Sequence, residues 1–337
     1  MTIISGIQPS GRLHVGNALG AVRHWLGLQG DGTNRCFFFI ADWHSLTEEY
    51  DPAQKVAQVR ELGAELLALG IDPERAALFR QSDVPEHLEL AWYFNCVTPM
   101  AELQRMTQFK DKVGHGESPN VGLFSYPVLM AADILAYSQD RDTQGVGVPV
   151  GDDQKQHIEF TNHIGRWFNN RYGETFPEVQ GLHTETARIM SLKDPSRKMS
   201  KSAGAAHCLF LDDEPEVVMK KLKSAVTETT PSSSPSGRGG GQSAGVQTLF
   251  AILEAYAPHE VVARFREQLA DGSIRYSELK SAVAEHFIEA HADFRRRKAE
   301  LMAHPEQIDA ALTHGAERAR AVAQTTLRTI RQRVGIA

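Results

Sequence analysis

The stretch Cys36-Phe37-Phe38-Phe39-Ile40-Ala41 contains six apolar residues with no polar side chain among them. An uninterrupted apolar run is typical of a strand that is covered on both faces, as the strands of a parallel sheet are. Two shorter apolar segments, Ile3-Ile4-Ser5 and Ala77-Leu78-Phe79, predict one strand before it and one after it. Helical patterns separate these segments, and one of the helices begins at Pro52 and ends at Gly70. The alternation predicts an α/β fold with a doubly wound, parallel, Rossmann-like sheet.

The remainder of the chain is mostly helical and predicts a second domain. Helical segments dominate residues 85–139, after which Val146-Gly147-Val148-Pro149-Val150 returns to a strand pattern. We therefore predict an α/β domain at residues 1–203 with a helical insertion at about 85–139. An α-helical domain is predicted at residues 204–337, with its last helix packing back on the first domain.

The composition indicates an ordinary globular protein in which charge is unevenly distributed. The 337 residues are 42% hydrophobic and 23% charged, and the formal net charge is −6. Residues 291–337 hold nine basic and five acidic side chains, so this segment is +4 and the rest of the chain is −10. A basic end on an acidic body fits a localised polyanionic partner, although charge alone favours a solvated helix face.

The cysteines and the apolar segments of the sequence indicate in which cellular compartment the protein is found. Cys36, Cys96 and Cys208 lack the spacing of metal ligands, which predicts reduced, mostly buried thiols and neither a zinc site nor an iron–sulfur cluster. The amino-terminal residues have no basic start followed by a long apolar region, and no apolar run is long enough to cross a bilayer. We expect a cytoplasmic protein with no membrane partner.

Two short motifs predict a phosphate-binding site. His14-Val15-Gly16-Asn17 lies where the first strand gives way to a helix, and backbone N–H groups at a helix start attract phosphate. By itself the motif is more often a helix cap than a ligand set. Far downstream, Lys198-Met199-Ser200-Lys201-Ser202 places two ammonium groups and two hydroxyls on one loop, which can neutralise the charge that develops on a departing pyrophosphate. Together the motifs indicate a site that activates a carboxylate with ATP.

A third feature is a carboxylate in an apolar helix. Asp133 stands in Leu129-Met130-Ala131-Ala132-Asp133-Ile134-Leu135, and a buried carboxylate is costly unless it is paired or hydrogen-bonded. An indole N–H or a phenol O–H would be a suitable partner, and a structural hydrogen bond or salt bridge is an equally good explanation. Tyr126 and Met130 precede Asp133 by seven and three residues, so all three can line one wall of a pocket.

At these residues the chain resembles the bacterial tryptophanyl-tRNA synthetases, a branch of the class I aminoacyl-tRNA synthetases, over nearly its whole length. The resemblance also rests on several longer motifs: Ser5-Gly6-Ile7-Gln8-Pro9-Ser10-Gly11, Met106-Thr107-Gln108-Phe109-Lys110, Tyr126-Pro127, Pro149-Val150-Gly151-Asp152-Asp153-Gln154-Lys155-Gln156-His157, Ala187-Arg188-Ile189-Met190-Ser191-Leu192 and Lys223-Ser224-Ala225-Val226-Thr227. The sequence context of Asp133 and Asp153 is similar to the tryptophan branch rather than to the tyrosine branch.

The resemblance implies a role for each matching residue. Asp133 would accept the indole N–H of tryptophan, and Lys198, Lys201, Asn17 and Lys112 would act on the triphosphate. The implied ATP-binding residues are Gln8, Pro9, Ser10, His14, Gly16, Asn17, Gly151, Asp152, Asp153, Ile189, Lys198, Met199, Ser200, Lys201 and Ser202. The implied tryptophan-binding residues are Gly6, Tyr126, Met130, Asp133, Val148, Val150 and Gln154.

The resemblance also implies a reaction and partners. The tryptophan carboxylate would attack the α-phosphorus of ATP, with Mg²⁺ held mainly by the phosphates, and the adenylate would pass its acyl group to tRNA(Trp). A homodimer is expected, with the insertion at 85–139 in the interface and the helical domain at 204–337 reading the anticodon.

Several segments depart from the family pattern. Ala203-Gly204 stands where an acid is common, residues 231–242 have the Ser- and Gly-rich composition of a mobile loop, and residues 138–147 form a long connection expected near the active-site mouth. With these departures, the chain could also be an auxiliary copy of the enzyme. Two other interpretations remain: a tyrosine-specific sister enzyme, and a non-charging paralogue that senses tryptophan or a nucleotide.

Overall fold

A computed structural model describes residues 1–107, 120–140, 142–151, 154–183, 189–227 and 243–336. The described strands form one five-stranded, all-parallel sheet in the order β3-β2-β1-β4-β5. The strands are β1 (Thr2–Ile7), β2 (Arg35–Ile40), β3 (Ala76–Arg80), β4 (Val146–Val150) and β5 (Val179–His183). The predicted doubly wound α/β fold is confirmed. The strand order reverses between β1 and β4, and ligands of such sheets bind beside the carboxyl ends of the strands at this point.

Contacts within the chain define two compact units. The sheet unit comprises Met1–Ser10, Arg23–Glu185 and Leu301–Ala337, and the helical unit comprises Gly11–Val22 and Thr186–Glu300. The two units are defined by which residues pack together. The predicted boundary at 203/204 instead separates a catalytic segment from an anticodon-binding segment, and it stays a prediction. In the described part of the chain, every helix is too short or too polar to span a lipid bilayer.

The sheet unit buries apolar side chains on both faces of β2, as the apolar run predicts. Phe38 stacks on Trp25 with 4.6 Å between ring centroids. Its neighbour Phe37 points to the other face and stacks on Tyr137 at 4.6 Å. The helices of this unit are α2 (Arg23–Gly30), α3 (Pro52–Leu69), α4 (Glu86–Asn95), α5 (Met100–Leu103), α6 (Val121–Leu135), α7 (Lys155–Tyr172) and, at the end of the chain, α13 (Pro305–Val334).

Helix α13 covers the outer edge of the sheet. It packs against β3, and a Cβ atom on Gly315 would lie 2.0 Å from the carbonyl oxygen of Leu78. Only glycine therefore allows the helix backbone to approach the strand this closely. An uncovered edge strand would present unpaired backbone groups to other chains, which the helix prevents.

Three arginines of helix α13 make contacts inside the sheet unit. Arg320 pairs with Glu86 at 3.1 Å, and Arg331 holds both carboxylate oxygens of Glu89. Arg318 donates to the carbonyl of Pro73 at 2.6 Å. These guanidinium groups hold α13 against the rest of the unit, so this part of the basic segment has a structural role.

The connection before β4 lies at the amino end of the sheet. Thr2 N–H donates to Gly145 O at 3.0 Å, and Arg35 pairs with Asp140 at 2.7 Å. Thr2 and Arg35 begin β1 and β2, so the expectation that residues 138–147 lie near the active-site mouth is wrong. A segment that leads into a parallel strand reaches the sheet at the end opposite the carboxyl ends.

The helical unit joins the His14 motif to a helix bundle. Leu211 N–H donates to Leu13 O at 3.0 Å and Val15 N–H donates to Leu209 O at 2.9 Å, which forms a short antiparallel ladder. The helices of this unit are α1 (Val15–Asn17), α8 (Pro215–Lys223), α9 (Ala244–Tyr256), α10 (His259–Ala270) and α11 (Tyr276–Ala290), with α12 (Ala292–Ala303) beginning in it. Residues 231–242, predicted to be a mobile loop, lie outside the described residues.

Candidate active site

In the sheet unit, the predicted pocket lies around helix α6. Tyr126, Met130 and Asp133 all stand on this helix, and Tyr126 and Met130 are half-buried. Val148 and Val150 on β4 belong to the same apolar cluster against which Met130 packs. Five of the seven residues predicted to bind tryptophan thus lie on α6 and β4, and their role stays a prediction.

The other two predicted pocket residues flank the strand-order reversal. Gly6 is exposed near the carboxyl end of β1, where a Cβ atom would lie 2.4 Å from the Phe39 ring of the neighbouring strand. Because glycine has no side chain, the Phe39 ring can pack directly against the backbone of β1 at this position. Gln154 is half-buried at the start of α7, four residues after the end of β4.

Asp133 is 1% exposed and is surrounded by side chains from three separate segments. Its Oδ2 lies 2.7 Å from His44 Nε2, and Gln81 Nε2 donates to both carboxylate oxygens at 2.8 and 2.9 Å. His87 Nδ1 lies 3.1 Å from Oδ1. Each oxygen therefore faces two neighbours, and an indole N–H would share an oxygen with one of them or displace it.

The environment keeps Asp133 ionised. Burial by itself would raise the pKa of this carboxyl group, but the adjacent imidazoles of His44 and His87 outweigh burial and hold the pKa below its ordinary value. An ionised carboxylate only accepts hydrogen bonds. In an apolar pocket, it therefore favours a ligand that combines a large ring system with an N–H donor.

Tyr126 connects the pocket helix to α7. Its hydroxyl lies 2.6 Å from His157 Nε2, and its ring stands edge-on to His44 with 6.3 Å between centroids. Burial raises the pKa of the Tyr126 phenol well above its ordinary value, so it remains a neutral donor. His44 therefore borders both the predicted amino-acid pocket and Asp133.

In the helical unit, His14 caps the helix that follows it. Its Nδ1 accepts hydrogen bonds from the backbone N–H groups of Gly16 and Asn17, at 3.1 and 3.3 Å. The Asn17 side chain returns a bond by accepting from His14 N–H at 3.2 Å, which completes a capping box. Because Nδ1 accepts, the proton of the neutral imidazole is on Nε2. Burial, with Lys201 and Lys198 nearby, lowers the pKa of His14 to about 4.

The lysine motif lies beside this cap. Met199 is buried, and its N–H donates to Ile189 O at 3.0 Å, which anchors the middle of the loop. Lys198, Ser200 and Ser202 are exposed. Lys201 donates to Gly11 O at 2.6 Å, three residues before His14. Two motifs that are far apart in the sequence thus meet in one unit and form a cluster of ammonium, hydroxyl and N–H donors.

The remaining predicted residues fall into two groups. Gln8 and Ser10 are exposed after β1, and Gly151 is half-buried after β4, so all three stand at carboxyl ends of strands. Pro9 is buried in the same turn. The predicted residues Lys112, Asp152 and Asp153 lie outside the described residues.

Sequence reasoning missed four residues of the Asp133 cluster, namely His44, Gln81, His87 and Tyr137. The sequence did contain a signal for Gln81 and His44. Gln81 directly follows β3 and His44 follows β2 by four residues, and polar side chains just beyond buried parallel strands are typical of ligand sites. His87 and Tyr137 carry no comparable signal, because His87 stands in the first turn of α4 between Glu86 and Glu89, and Tyr137 follows the end of α6.

Comparison with known proteins agrees with this geometry. The family model described as "tRNA synthetases class I (W and Y)" matches residues 1–292. "Tryptophan--tRNA ligase 2" of Streptomyces avermitilis is 43% identical, over 99% of this chain and 96% of that protein. "Tryptophan--tRNA ligase" of Helicobacter pylori is 40% identical, over 99% and 98%.

Solved structures of tryptophanyl-tRNA synthetases are also similar to this chain. The tryptophanyl-tRNA synthetase of Campylobacter jejuni complexed with ADP and tryptophan superimposes with a TM-score of 0.83 at 32% identity, over 99% of this chain and all of that one. The enzyme from Mycoplasma pneumoniae gives a TM-score of 0.81 at 32% identity, over 100% and 98% of the two chains.

Proposed function

We infer the function from a plain premise: the chain belongs to the class I tRNA synthetases for tryptophan and tyrosine. Within that family it is a tryptophan–tRNA ligase, like its full-length relatives. It activates L-tryptophan with ATP to tryptophanyl-adenylate and transfers the acyl group to tRNA(Trp). The geometric observation that carries this conclusion is the buried, ionised Asp133 on the pocket helix.

The reaction needs no nucleophile from the protein. The tryptophan carboxylate attacks the α-phosphorus of ATP in line, the bond to the bridging oxygen breaks, and pyrophosphate leaves. The protein accelerates such a step by positioning the reactants and by stabilising charge. We propose that Lys198 and Lys201 neutralise the pyrophosphate and that His14 donates its Nε2 proton to a phosphate oxygen.

The hydrogen-bond donors around His14 also indicate how Mg²⁺ would be held. The groups around His14 are ammonium, hydroxyl and N–H donors, which suit phosphate oxygens rather than a bare cation. We propose that Mg²⁺ enters on the triphosphate and is held mainly by it. Its chemistry there is to offset phosphate charge. The predicted contributions of Lys112, Asp152 and Asp153 remain part of this proposal.

Amino-acid selection falls to the pocket. Tryptophan fills the space between Tyr126, Met130 and the β4 valines, and its indole N–H gives Asp133 a donor. Phenylalanine has no such donor, and the phenol of tyrosine ends elsewhere on a smaller ring. Asp133 keeps its protein neighbours with either competitor, so the discrimination lies in the added hydrogen bond from the indole N–H to a charged group, worth roughly 1.5–3 kcal/mol, which supports selection without a separate editing site.

We propose a homodimer with its interface in the insertion at 85–139. Large apolar side chains are unusually exposed there: Leu88 is 46% exposed, Trp92 67%, Met100 67% and Val121 79%. Exposed apolar surface of this kind marks protein–protein contacts. The helical part of residues 204–337 is proposed to read the anticodon, and cytoplasmic tRNA(Trp) is the proposed partner.

ATP–pyrophosphate exchange with single amino acids tests the function. We expect exchange driven by tryptophan and charging of a tRNA(Trp) transcript. Exchange driven by tyrosine alone would place the chain in the tyrosine branch. Tryptophan binding without exchange or charging would show a sensor that has lost catalysis.

A further inference from the structure

Two polar groups lie behind Asp133, on the side away from Tyr126. His87 on α4 and Tyr137, just after α6, are both 0% exposed. Aromatic rings surround them: Phe37 stacks on Tyr137 at 4.6 Å, and Phe79 lies 6.2 Å from the His87 ring. Polar groups in such a core are costly unless they pair with one another. Two polar groups buried together beside one carboxylate indicate a role for the pair.

The three groups form a chain of contacts. The Tyr137 hydroxyl lies 2.9 Å from His87 Nε2, and His87 Nδ1 lies 3.1 Å from Asp133 Oδ1. The second contact is close but bent away from the ideal line of a hydrogen bond. A lone pair on Nδ1 would repel the carboxylate, which favours the tautomer with the proton on Nδ1. Nε2 then accepts from the Tyr137 hydroxyl.

Tyr137 keeps its hydroxyl proton in this place and can therefore donate it to His87 Nε2. Burial first, and then the nearby Asp133 and Glu86, raise the pKa of its phenol well above the ordinary value. The phenol therefore stays protonated and holds the His87 tautomer. Among the described residues, Asp133 is faced by His44 on the segment after β2, Gln81 after β3 and His87 on α4, with Tyr137 behind His87.

We propose that His87 and Tyr137 are positioning residues for tryptophan recognition, which orient the Asp133 carboxylate and keep it an acceptor. This inference rests on the proposed function, because it assigns the indole N–H to Asp133. His87 touches Asp133 and not the substrate. It acts by fixing which oxygen of Asp133 is available and by stabilising the ionised form.

Substitutions of His87 separate this role from simple packing. His87→Leu removes both ring nitrogens, whereas His87→Asn keeps an amide N–H near the place of Nδ1. We expect His87→Leu to raise KM for tryptophan about tenfold, the effect of losing one hydrogen bond to a charged group, with KM for ATP changed less than about twofold. His87→Asn should restore most of the affinity. Tyr137→Phe keeps the ring against Phe37 and should raise KM for tryptophan by a smaller factor.

The pH profile provides a readout that packing alone would not move. Loss of His87 removes a group that lowers the pKa of Asp133, so the pKa rises. Tryptophan affinity should then begin to fall at a higher pH in His87→Leu than in the wild-type enzyme, as the pH decreases. His291→Leu is the matched control, since it removes a buried imidazole from the helical unit. Its KM for tryptophan should not change.

The outcomes are distinct. Unchanged KM and pH profile in His87→Leu would overturn the inference, as would equal losses for ATP and tryptophan. If His87→Leu does not fold, Tyr137→Phe decides by the same two readouts, and an unchanged KM and pH profile in that variant would overturn the inference. A wild-type enzyme without tryptophan-dependent exchange would refute the proposed function itself.

Discussion

The side-chain ammonium of Lys201 donates a 2.6 Å hydrogen bond to the backbone carbonyl of Gly11. Gly11 has a φ of +97°, a conformation that other residues rarely adopt, and it turns the chain into the His14 cap. Because Lys201 already lies at this turn, little movement brings its charge to a phosphate bound at the cap. The contact links the two motifs on which activation depends.

Removing either lysine should slow activation more than it weakens tryptophan binding. We expect Lys198→Ala and Lys201→Ala to lower kcat of tryptophan-dependent exchange by about 10²–10³-fold, the range for loss of one transition-state donor. Tryptophan affinity, measured by calorimetry, should stay nearly constant. Lys220→Ala, an exposed lysine of the same unit, is the control. Exchange rates within about twofold of wild type would contradict this role.

Asp133 should affect tryptophan far more than ATP. Asp133→Asn keeps the volume and removes the charge, and we expect KM for tryptophan to rise about 10- to 100-fold, because a charge-assisted hydrogen bond is lost. Asp133→Ala should be more severe, since it also orphans its neighbours. Asp140→Asn is a matched control, because Asp140 is a buried carboxylate at the opposite end of the sheet. Equal losses for ATP and tryptophan would rule out the indole assignment.

Two buried histidines should make the protein less stable in mild acid. Burial lowers the pKa of His14 and of His291 to about 4, below the ordinary 6.5. The unfolded chain therefore binds protons that the folded chain does not bind between these values. The free energy of unfolding should be constant above pH 6.5 and fall towards pH 4, by at most about 3 kcal/mol for each histidine.

Urea denaturation over this pH range checks the effect. His291→Leu and His14→Asn should each have a shallower dependence on pH than the wild-type protein, and Asn is a good helix cap. Parallel pH profiles for variants and wild type would show that other groups cause the acid sensitivity.

The contact between Gly315 and Leu78 should not tolerate a side chain. We expect Gly315→Ala to lower the free energy of unfolding by about 1–3 kcal/mol or more, because its Cβ would meet the strand backbone. Gly27 in α2 has open space around it. Gly27→Ala should instead stabilise the protein by about 0.5–1 kcal/mol, as alanine does in a helix. Equal effects in thermal denaturation would contradict the close approach.

A charge in the proposed interface should dissociate the dimer. Trp92→Glu places a carboxylate on a side chain that is 67% exposed, and we expect monomer in analytical ultracentrifugation. Val56→Glu, which changes a side chain that is 66% exposed on α3, should leave the dimer intact. A wild-type monomer, or a dimer that survives Trp92→Glu, would refute the assigned surface.

Local patterns predicted most of the fold. Strands β1 to β4 follow apolar runs that any parallel sheet requires, and Gly70 ends α3 in the left-handed conformation. Strand β5 has no such run, since Val179-Gln180-Gly181-Leu182-His183 is half polar and lies at an edge. Its position depends on pairing with β4, which no local pattern reveals.

The sequence motifs of the site could be predicted, but the side chains that surround Asp133 could not. Asp133 stood out because it is charged in an apolar helix. The neighbours His44, Gln81 and His87 come from three segments that only the tertiary fold brings together. The arginines of α13 also could not be assigned from charge, because their carboxylate partners are more than 200 residues away in the chain.

The covered edge of β3 has a consequence for biosynthesis. The sheet unit is assembled from the first ten residues, a long central segment and the segment from Leu301 onward. The ribosome therefore synthesises more than 200 residues after β3 before the segment that covers its edge becomes available. Until then, the exposed backbone of β3 is open to mispairing with other nascent chains, and a chaperone that holds this edge would be most useful at that late stage.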